Sequence, residues 1–290
     1  MPFVQAGHVR MHYVEYGSGG NVVVYIHGNL GCVNWMDLVW PKLPGNLHIY
    51  AFDWRGCGDS EKPIPGEGYS NYSMKQHATD MIHAIQALGI KKCHLANHST
   101  GGFICTRMMM MEPDMFGKVF CLDPVGPMGL HLPEGTLDLF RSMKENREVA
   151  FAALATAAPS LFVKDSLKPG QTPTFHDRAR EEQKKLFNLI VDKTRVLSDG
   201  IWFGTAIDLA KEHESQELRR RQGDIRHPHL VLWGEEDMWI PRADMEEMAE
   251  RMPQCKLKVI PGIGHSLNLE DPEQFSRLFT EFFAKKGGEL

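Results

Sequence analysis

The run His94-Leu95-Ala96-Asn97-His98-Ser99-Thr100-Gly101-Gly102 constrains this chain more than any other stretch. An apolar strand pattern passes directly into a helical pattern over 101–111, and a serine stands at the junction. A strand-to-helix turn this sharp holds the serine in strained backbone geometry, lifts Oγ clear of a sheet and aims the next residue's N–H at a reacting carbonyl. The turn needs small neighbours, which Gly101 and Gly102 provide. The usual spacing is G-x-S-x-G; here Asn97 stands in the first glycine's position, so its side chain must fit where the turn packs closely. A plain helix N-cap is the alternative role for Ser99, and the rest of the chain decides between the two.

A serine nucleophile needs a base, and the base needs an acid that fixes its tautomer and stabilises its charged form. His265 follows the apolar strand pattern ending at Val259-Ile260, in the loop Pro261-Gly262-Ile263-Gly264. Asp271-Pro272 then reads as an N-cap with proline at the first helical position. Asp237 follows the apolar run His229 to Gly234 and precedes Pro241. Glu235 and Glu236 adjoin it, and Asp123, after the strand pattern Lys118 to Leu122, is the alternative acid. The acid-x-x-x-Pro spacing favours Asp237. Ser, Asp and His thus lie in that chain order, each beyond a different strand.

Hydrophobic periodicity predicts strands near 8–16, 22–27, 47–53, 94–98, 118–122, 229–234 and 256–261, with helices near 73–88, 101–111, 241–252 and 272–285. Alternation of the two after residue 47 implies an α/β fold with a mostly parallel sheet covered on both faces. The first strand alternates polar and apolar residues before Gly17-Ser18-Gly19-Gly20 and is expected to begin an antiparallel hairpin at the sheet edge. Between Asp123 and Asp224 the alternation stops. Helical patterns near 135–146, 148–157, 176–197 and 201–221 fill the gap, so residues 1–125 and 226–290 are expected to form the core and 126–225 an inserted, mainly helical cap.

Through His27-Gly28-Asn29, Asp53-Trp54-Arg55-Gly56-Cys57-Gly58-Asp59-Ser60, the Ser99 turn, Asp237 and His265, the chain resembles the α/β-hydrolase superfamily over nearly its whole length. The resemblance implies a Ser99–His265–Asp237 triad and an oxyanion hole built from the backbone N–H groups of Asn29 and Thr100. It implies a cap over the nucleophile, no cofactor and no metal. A serine nucleophile sets the chain apart from similar folds that attack with aspartate. The His-Ser-Thr-Gly-Gly run looks like esterase and cofactor-free haloperoxidase members; His-Gly-Asn-Leu-Gly with a large helical cap looks like lactonases. The expected activity is hydrolysis of a carboxylic ester or lactone of a partly hydrophobic small molecule. Carbon–carbon bond hydrolysis or another acyl transfer is the enzymatic alternative, and a small-molecule receptor the non-enzymatic one. His98 and Trp202 are candidate pocket residues. His27 reads as structural, and Asp53 to Ser60 as a fold signature without a catalytic role.

Bulk properties agree with a globular enzyme: 290 residues, 42% hydrophobic and 24% charged. A formal charge of −5 without a long basic run argues against a nucleic-acid partner, and Arg219-Arg220-Arg221 reads as a solvated helix face. Nowhere do 18 apolar residues run together, so no membrane span is expected, and a cytoplasmic location follows from the lack of a signal pattern. Six scattered cysteines lack metal-site spacing; Cys93, Cys105 and Cys121 fall in core elements as small hydrophobes. Met108 to Met111 reads as buried packing behind the nucleophile.

Overall fold

The computed structural model describes residues 2–284. Eight strands form one sheet: β1 Phe3–Ala6, β2 Val9–Gly17, β3 Asn21–Ile26, β4 Leu47–Phe52, β5 Cys93–His98, β6 Phe116–Leu122, β7 His229–Gly234 and β8 Cys255–Ile260. Their spatial order is β1-β2-β4-β3-β5-β6-β7-β8. The first two strands pair antiparallel, as do β2 and β4, and every other pairing is parallel. This is the α/β architecture that the alternation predicts. Helices α1 Met74–Ala87 and α2 Gly101–Met111 belong to it, as do α8 Arg242–Arg251, α9 Leu267–Glu270 and α10 Pro272–Ala284. Residue 285 of the expected last helix, and the remainder of the core segment to 290, lie outside the described residues.

The expected hairpin is not the one observed. Strand β2 pairs with β1, which precedes it, through a turn where Gly7 has φ +59°, and on its other side with β4. The physical reason is burial: Val23 to Ile26 of β3 are buried on both faces, so β3 belongs in the sheet interior, parallel to β4 and β5. The half-exposed β2 takes a place near the rim.

Helices cover both faces. From α10, Phe275, Phe279, Phe282 and Phe283 surround Phe120 of β6; α1 and α2 pack together on the face that also carries Val24, Ile26, Leu95 and Val119. Cys93, Cys105 and Cys121 are buried there, as expected. The methionine run is buried only in half: Met108 and Met109 are enclosed, Met110 is partly covered and Met111 is 38% exposed. Four successive helical positions point in four directions, and only two of them are enclosed.

Between β6 and β7 lies the inserted helical region, with α3 Thr136–Glu145, α4 Arg147–Ala155, α5 Glu181–Arg195, α6 Thr205–Ser215 and α7 Glu217–Arg220. The expected helix over 201–221 is three pieces. A π-helical turn, Gly200–Gly204, precedes α6, and Gln216 at φ +55° separates α6 from α7. Phe151, Phe162, Phe175 and Phe187 form the region's own aromatic core. Of the basic triplet, Arg220 and Arg221 are exposed, whereas Arg219 is paired with Glu247 of α8.

Candidate active site

Strand β5 ends at His98, and Ser99 follows with φ +53°, a left-handed conformation that costs a non-glycine residue of order 1–3 kcal/mol. Hydrogen bonds hold it there: the Ser99 N–H donates to Leu122 O (3.0 Å), and the N–H groups of Gly102 and Val125 both donate to Ser99 O (2.8 Å each). The paired glycines are required by space. A Cβ on Gly101 would lie 2.3 Å from Ile26 O, and one on Gly102 2.4 Å from Pro124 Cβ. Asn97 fits by turning toward β6, where its Nδ2 donates to Cys121 Sγ at 3.3 Å.

Strand β3 delivers the loop opposite. A Cβ on Gly28 would stand 2.8 Å from Ser99 Cβ, so this glycine lets the loop approach the serine. The N–H groups of Asn29 and Thr100 have no acceptor among the described residues, as donors awaiting a substrate oxygen would. Loop shape is fixed from below and above. The Asp53 carboxylate accepts N–H groups from Val33 (2.8 Å) and Asp59 (3.1 Å) and His12 Nδ1 (2.7 Å), and Thr194 of α5 donates Oγ1–H to Leu30 O (2.7 Å). His27 is fully buried, bonded through Nδ1 to Gly28 O (2.8 Å) and stacked on Trp54, which is a structural role. Asp53 thus gives the Asp53-to-Ser60 stretch a function that its sequence left unassigned.

Asp237 Oδ2 accepts a hydrogen bond from His265 Nδ1 at 2.8 Å. A carboxylate only accepts, so Nδ1 carries the proton and Nε2 is left as the proton acceptor. Asp237 Oδ1 takes the N–H groups of Trp239 (2.7 Å) and Ile240 (3.2 Å). Burial pushes this carboxyl up, but the charge and hydrogen bond of His265 and those two N–H groups outweigh it and hold it below the ordinary carboxylate range. Asp123, fully buried at φ +41°, stands behind the pair. Its Oδ1 accepts from Gly234 N–H (2.8 Å) and its Oδ2 has no partner among the described residues. Burial and the Asp237 charge push it well above the ordinary range. One donor atom from each of Asp123, Asp237 and His265 lies within 4.8 Å of the others, a spacing that a cation could also bridge. Both Asp237 oxygens are already engaged by N–H donors, so Asp123 alone keeps a free oxygen.

The His265 ring lies between two others. Trp239 stacks on it at 5.4 Å and 22°, anchored by its own Nε1–H on Thr156 Oγ1 (2.9 Å), and the His98 ring lies 4.8 Å away. His98 Nε2–H donates to His265 O (2.8 Å); burial and the neighbouring His265 drive its pKa down to about 3, so it is neutral and no second base. Ser99 follows His98 directly, and its Oγ forms no hydrogen bond among the described residues. The structure therefore joins Asp237 to His265 directly and ties Ser99 to them through His98. Trp202 is fully buried in the π-helical turn and packs edge-on against Phe140 of the inserted region. Trp239 was missed by sequence reasoning; its place two residues after the acid was the available signal.

This chain belongs to the alpha/beta hydrolase fold family, whose pattern matches residues 21–272. It is 25% identical over 270 residues to the dihydrolipoyllysine-residue acetyltransferase component of the acetoin cleaving system of Pseudomonas putida, covering 93% of this chain but only 65% of that protein. To the 2-hydroxy-6-oxo-6-phenylhexa-2,4-dienoate hydrolase of Burkholderia cepacia it is 24% identical over 296 residues, with 95% and 91% of the two chains covered. A solved N-acyl homoserine lactone degrading enzyme superposes with a TM-score of 0.75 at 24% identity, covering 97% of this chain and all of that one. No helix among the described residues is long and apolar enough to cross a membrane.

Proposed function

We propose that this protein is a serine hydrolase that cleaves a carboxylic ester or lactone with Ser99 as nucleophile, His265 as base and Asp237 as acid. The observation that carries the reading is the strained turn that places Ser99 directly after His98, whose ring packs on an imidazole committed through Nδ1 to Asp237. His265 Nε2 takes the Ser99 proton as Oγ attacks the carbonyl carbon, and the N–H groups of Asn29 and Thr100 receive the oxyanion. Each such donor is worth roughly 3–4 kcal/mol in the transition state. Collapse breaks the C–O bond and His265 returns the proton to the leaving alkoxide, which in a lactone stays attached to the acyl group. His265 then deprotonates a water that attacks the acyl-enzyme, releasing the acid and regenerating Ser99. Residues 126–225 act as the cap, and a lactone-degrading structural neighbour supports a lactone among the substrates. The likeness to a 2-hydroxy-6-oxo-6-phenylhexa-2,4-dienoate hydrolase keeps carbon–carbon bond hydrolysis as the second reading. A cytoplasmic location suits the six free thiols.

Intact-mass analysis after a fluorophosphonate probe tests the reading. One adduct on wild type and none on Ser99→Ala supports it and directs paired ester and lactone assays. No adduct on either protein removes it in favour of a receptor.

A further inference from the structure

We propose that Glu270 is a positioning residue for His265 and that it couples the seating of the inserted helical region to the placement of the imidazole. The inference rests on the triad reading and extends it to a residue with no assigned role. Glu270 is 8% exposed, at the end of the short helix α9 that follows the histidine. Its Oε1 accepts the N–H groups of Gly264 (3.0 Å) and Ser266 (3.2 Å), the residues on either side of His265. One oxygen therefore clasps the backbone at both flanks of the base and restricts rotation of the peptide planes from which the imidazole hangs.

The other oxygen reaches the inserted region. Glu270 Oε2 accepts Ser160 N–H at 3.0 Å, and Ser160 lies in a 3-10 turn, Pro159–Leu161, that follows α4. The same turn presses on the loop itself: a Cβ on Gly264 would stand 2.1 Å from Pro159 Cδ. A second grip comes from α5, whose buried Gln183 donates Nε2–H to the carbonyls of Leu269 (2.8 Å) and Glu270 (3.0 Å). Three backbone N–H groups donate to the carboxylate. A buried carboxylate is an expensive way to hold a loop. It suits a junction where three N–H groups from two parts of the chain converge, because charged acceptors make shorter and stronger bonds than neutral ones. Lifting the Pro159–Leu161 turn would remove one of the three donors and leave the two that flank His265 sharing a less satisfied carboxylate.

The test is Glu270→Gln, which keeps the size and one acceptor oxygen but sets an NH2 group against an N–H donor. Steady-state kinetics with p-nitrophenyl acetate, the rate of fluorophosphonate labelling, and the low-field proton resonance of the Asp237–His265 hydrogen bond are compared with wild type. Expected are a kcat lower by at least tenfold, a KM changed less than threefold, slower labelling in proportion, and a shifted or broadened resonance. Gln183→Met, which releases the α5 grip but leaves the carboxylate in place, is expected to move the same readings in the same direction by a few-fold. It serves if Glu270→Gln does not fold. A folded Glu270→Gln protein with unchanged kcat, labelling and resonance overturns the inference. If wild type itself is neither labelled nor active, the triad reading falls; the resonance, which needs no turnover, still reports whether Glu270 and Gln183 hold the imidazole.

Discussion

Asp123 offers a stability experiment whose sign is fixed by the structure. Its carboxyl is fully buried, has one oxygen on Gly234 N–H at 2.8 Å and the other without a partner, and faces the hydrogen-bonded pair of Asp237 and His265. Burial and the charge of Asp237 raise its pKa well above the ordinary value, so the fold favours its protonated form while the unfolded chain ionises it freely. Below the unfolded-chain value, near pH 3.9, both states carry the proton and there is no penalty. As pH rises toward the folded value the unfolded state alone releases it, and the fold loses about 1.4 kcal/mol per pH unit from this group. Asp123→Asn removes the titration. It keeps the Gly234 bond, presents an N–H to Asp237, and suits φ +41°, where asparagine is among the better-tolerated residues.

Urea unfolding of wild type and Asp123→Asn at several values from about pH 4 upward therefore gives a stability difference that grows in the variant's favour, by at most roughly 1.4 kcal/mol per unit, and levels off once the folded value is passed. Asp123→Ala, in contrast, leaves the Gly234 N–H unpaired and costs roughly 1–3 kcal/mol, with further strain from a positive φ. Ester hydrolysis by Asp123→Asn is expected within a few-fold of wild type, whereas Asp237→Asn loses on the order of 10⁴ in kcat through the wrong tautomer. A stability difference that does not vary with pH would mean that Asp123 is ionised in the fold. An Asp123→Asn protein as inactive as Asp237→Asn would make Asp123 the working acid.

Three further outcomes follow from individual contacts. Gly28→Ala sets a methyl group 2.8 Å from Ser99 Cβ; displacing the proposed nucleophile by ångström amounts is expected to lower kcat by about 10²-fold, with thermal unfolding little changed, and an unchanged kcat would show that the loop can give. Arg55→Ala strips the partner from Asp80, a buried pair bonded at 2.5 and 2.9 Å, and is expected to cost about 3–5 kcal/mol in chemical denaturation. His98, pushed down to about 3, binds its proton more weakly folded than unfolded, so stability falls as pH drops from about 6.5 toward 3. His98→Asn should flatten that slope by about 1.4 kcal/mol per unit, which unfolding midpoints at pH 4, 5 and 6 would show.

The parts legible in the sequence are those whose physics is local. A strand pattern running into glycines predicts the Ser99 turn, because the serine with positive φ and the glycines that leave room for close packing lie within five residues of one another. Asp237 and His265, which a hydrogen bond joins, each lie just past an apolar run, and that too is a local signal. The place of β2 was not. Whether a strand pairs with its predecessor or its successor depends on which neighbour can be buried on both faces, a property of the whole sheet. Nor was the break of α6 at Gln216, since a left-handed glutamine carries no local signal. The support around the site was hidden more deeply. Asp53 acts on Val33, Thr194 on Leu30 and Glu270 on Ser160, over 20, 164 and 110 residues. In each case a side-chain oxygen meets a main-chain group, and a main-chain N–H or C=O has no residue type to recognise. The chain thus announces the candidate groups of its site and conceals what holds them in place, so substitutions at supporting oxygens such as Glu270 are the ones that sequence reading alone would pass over.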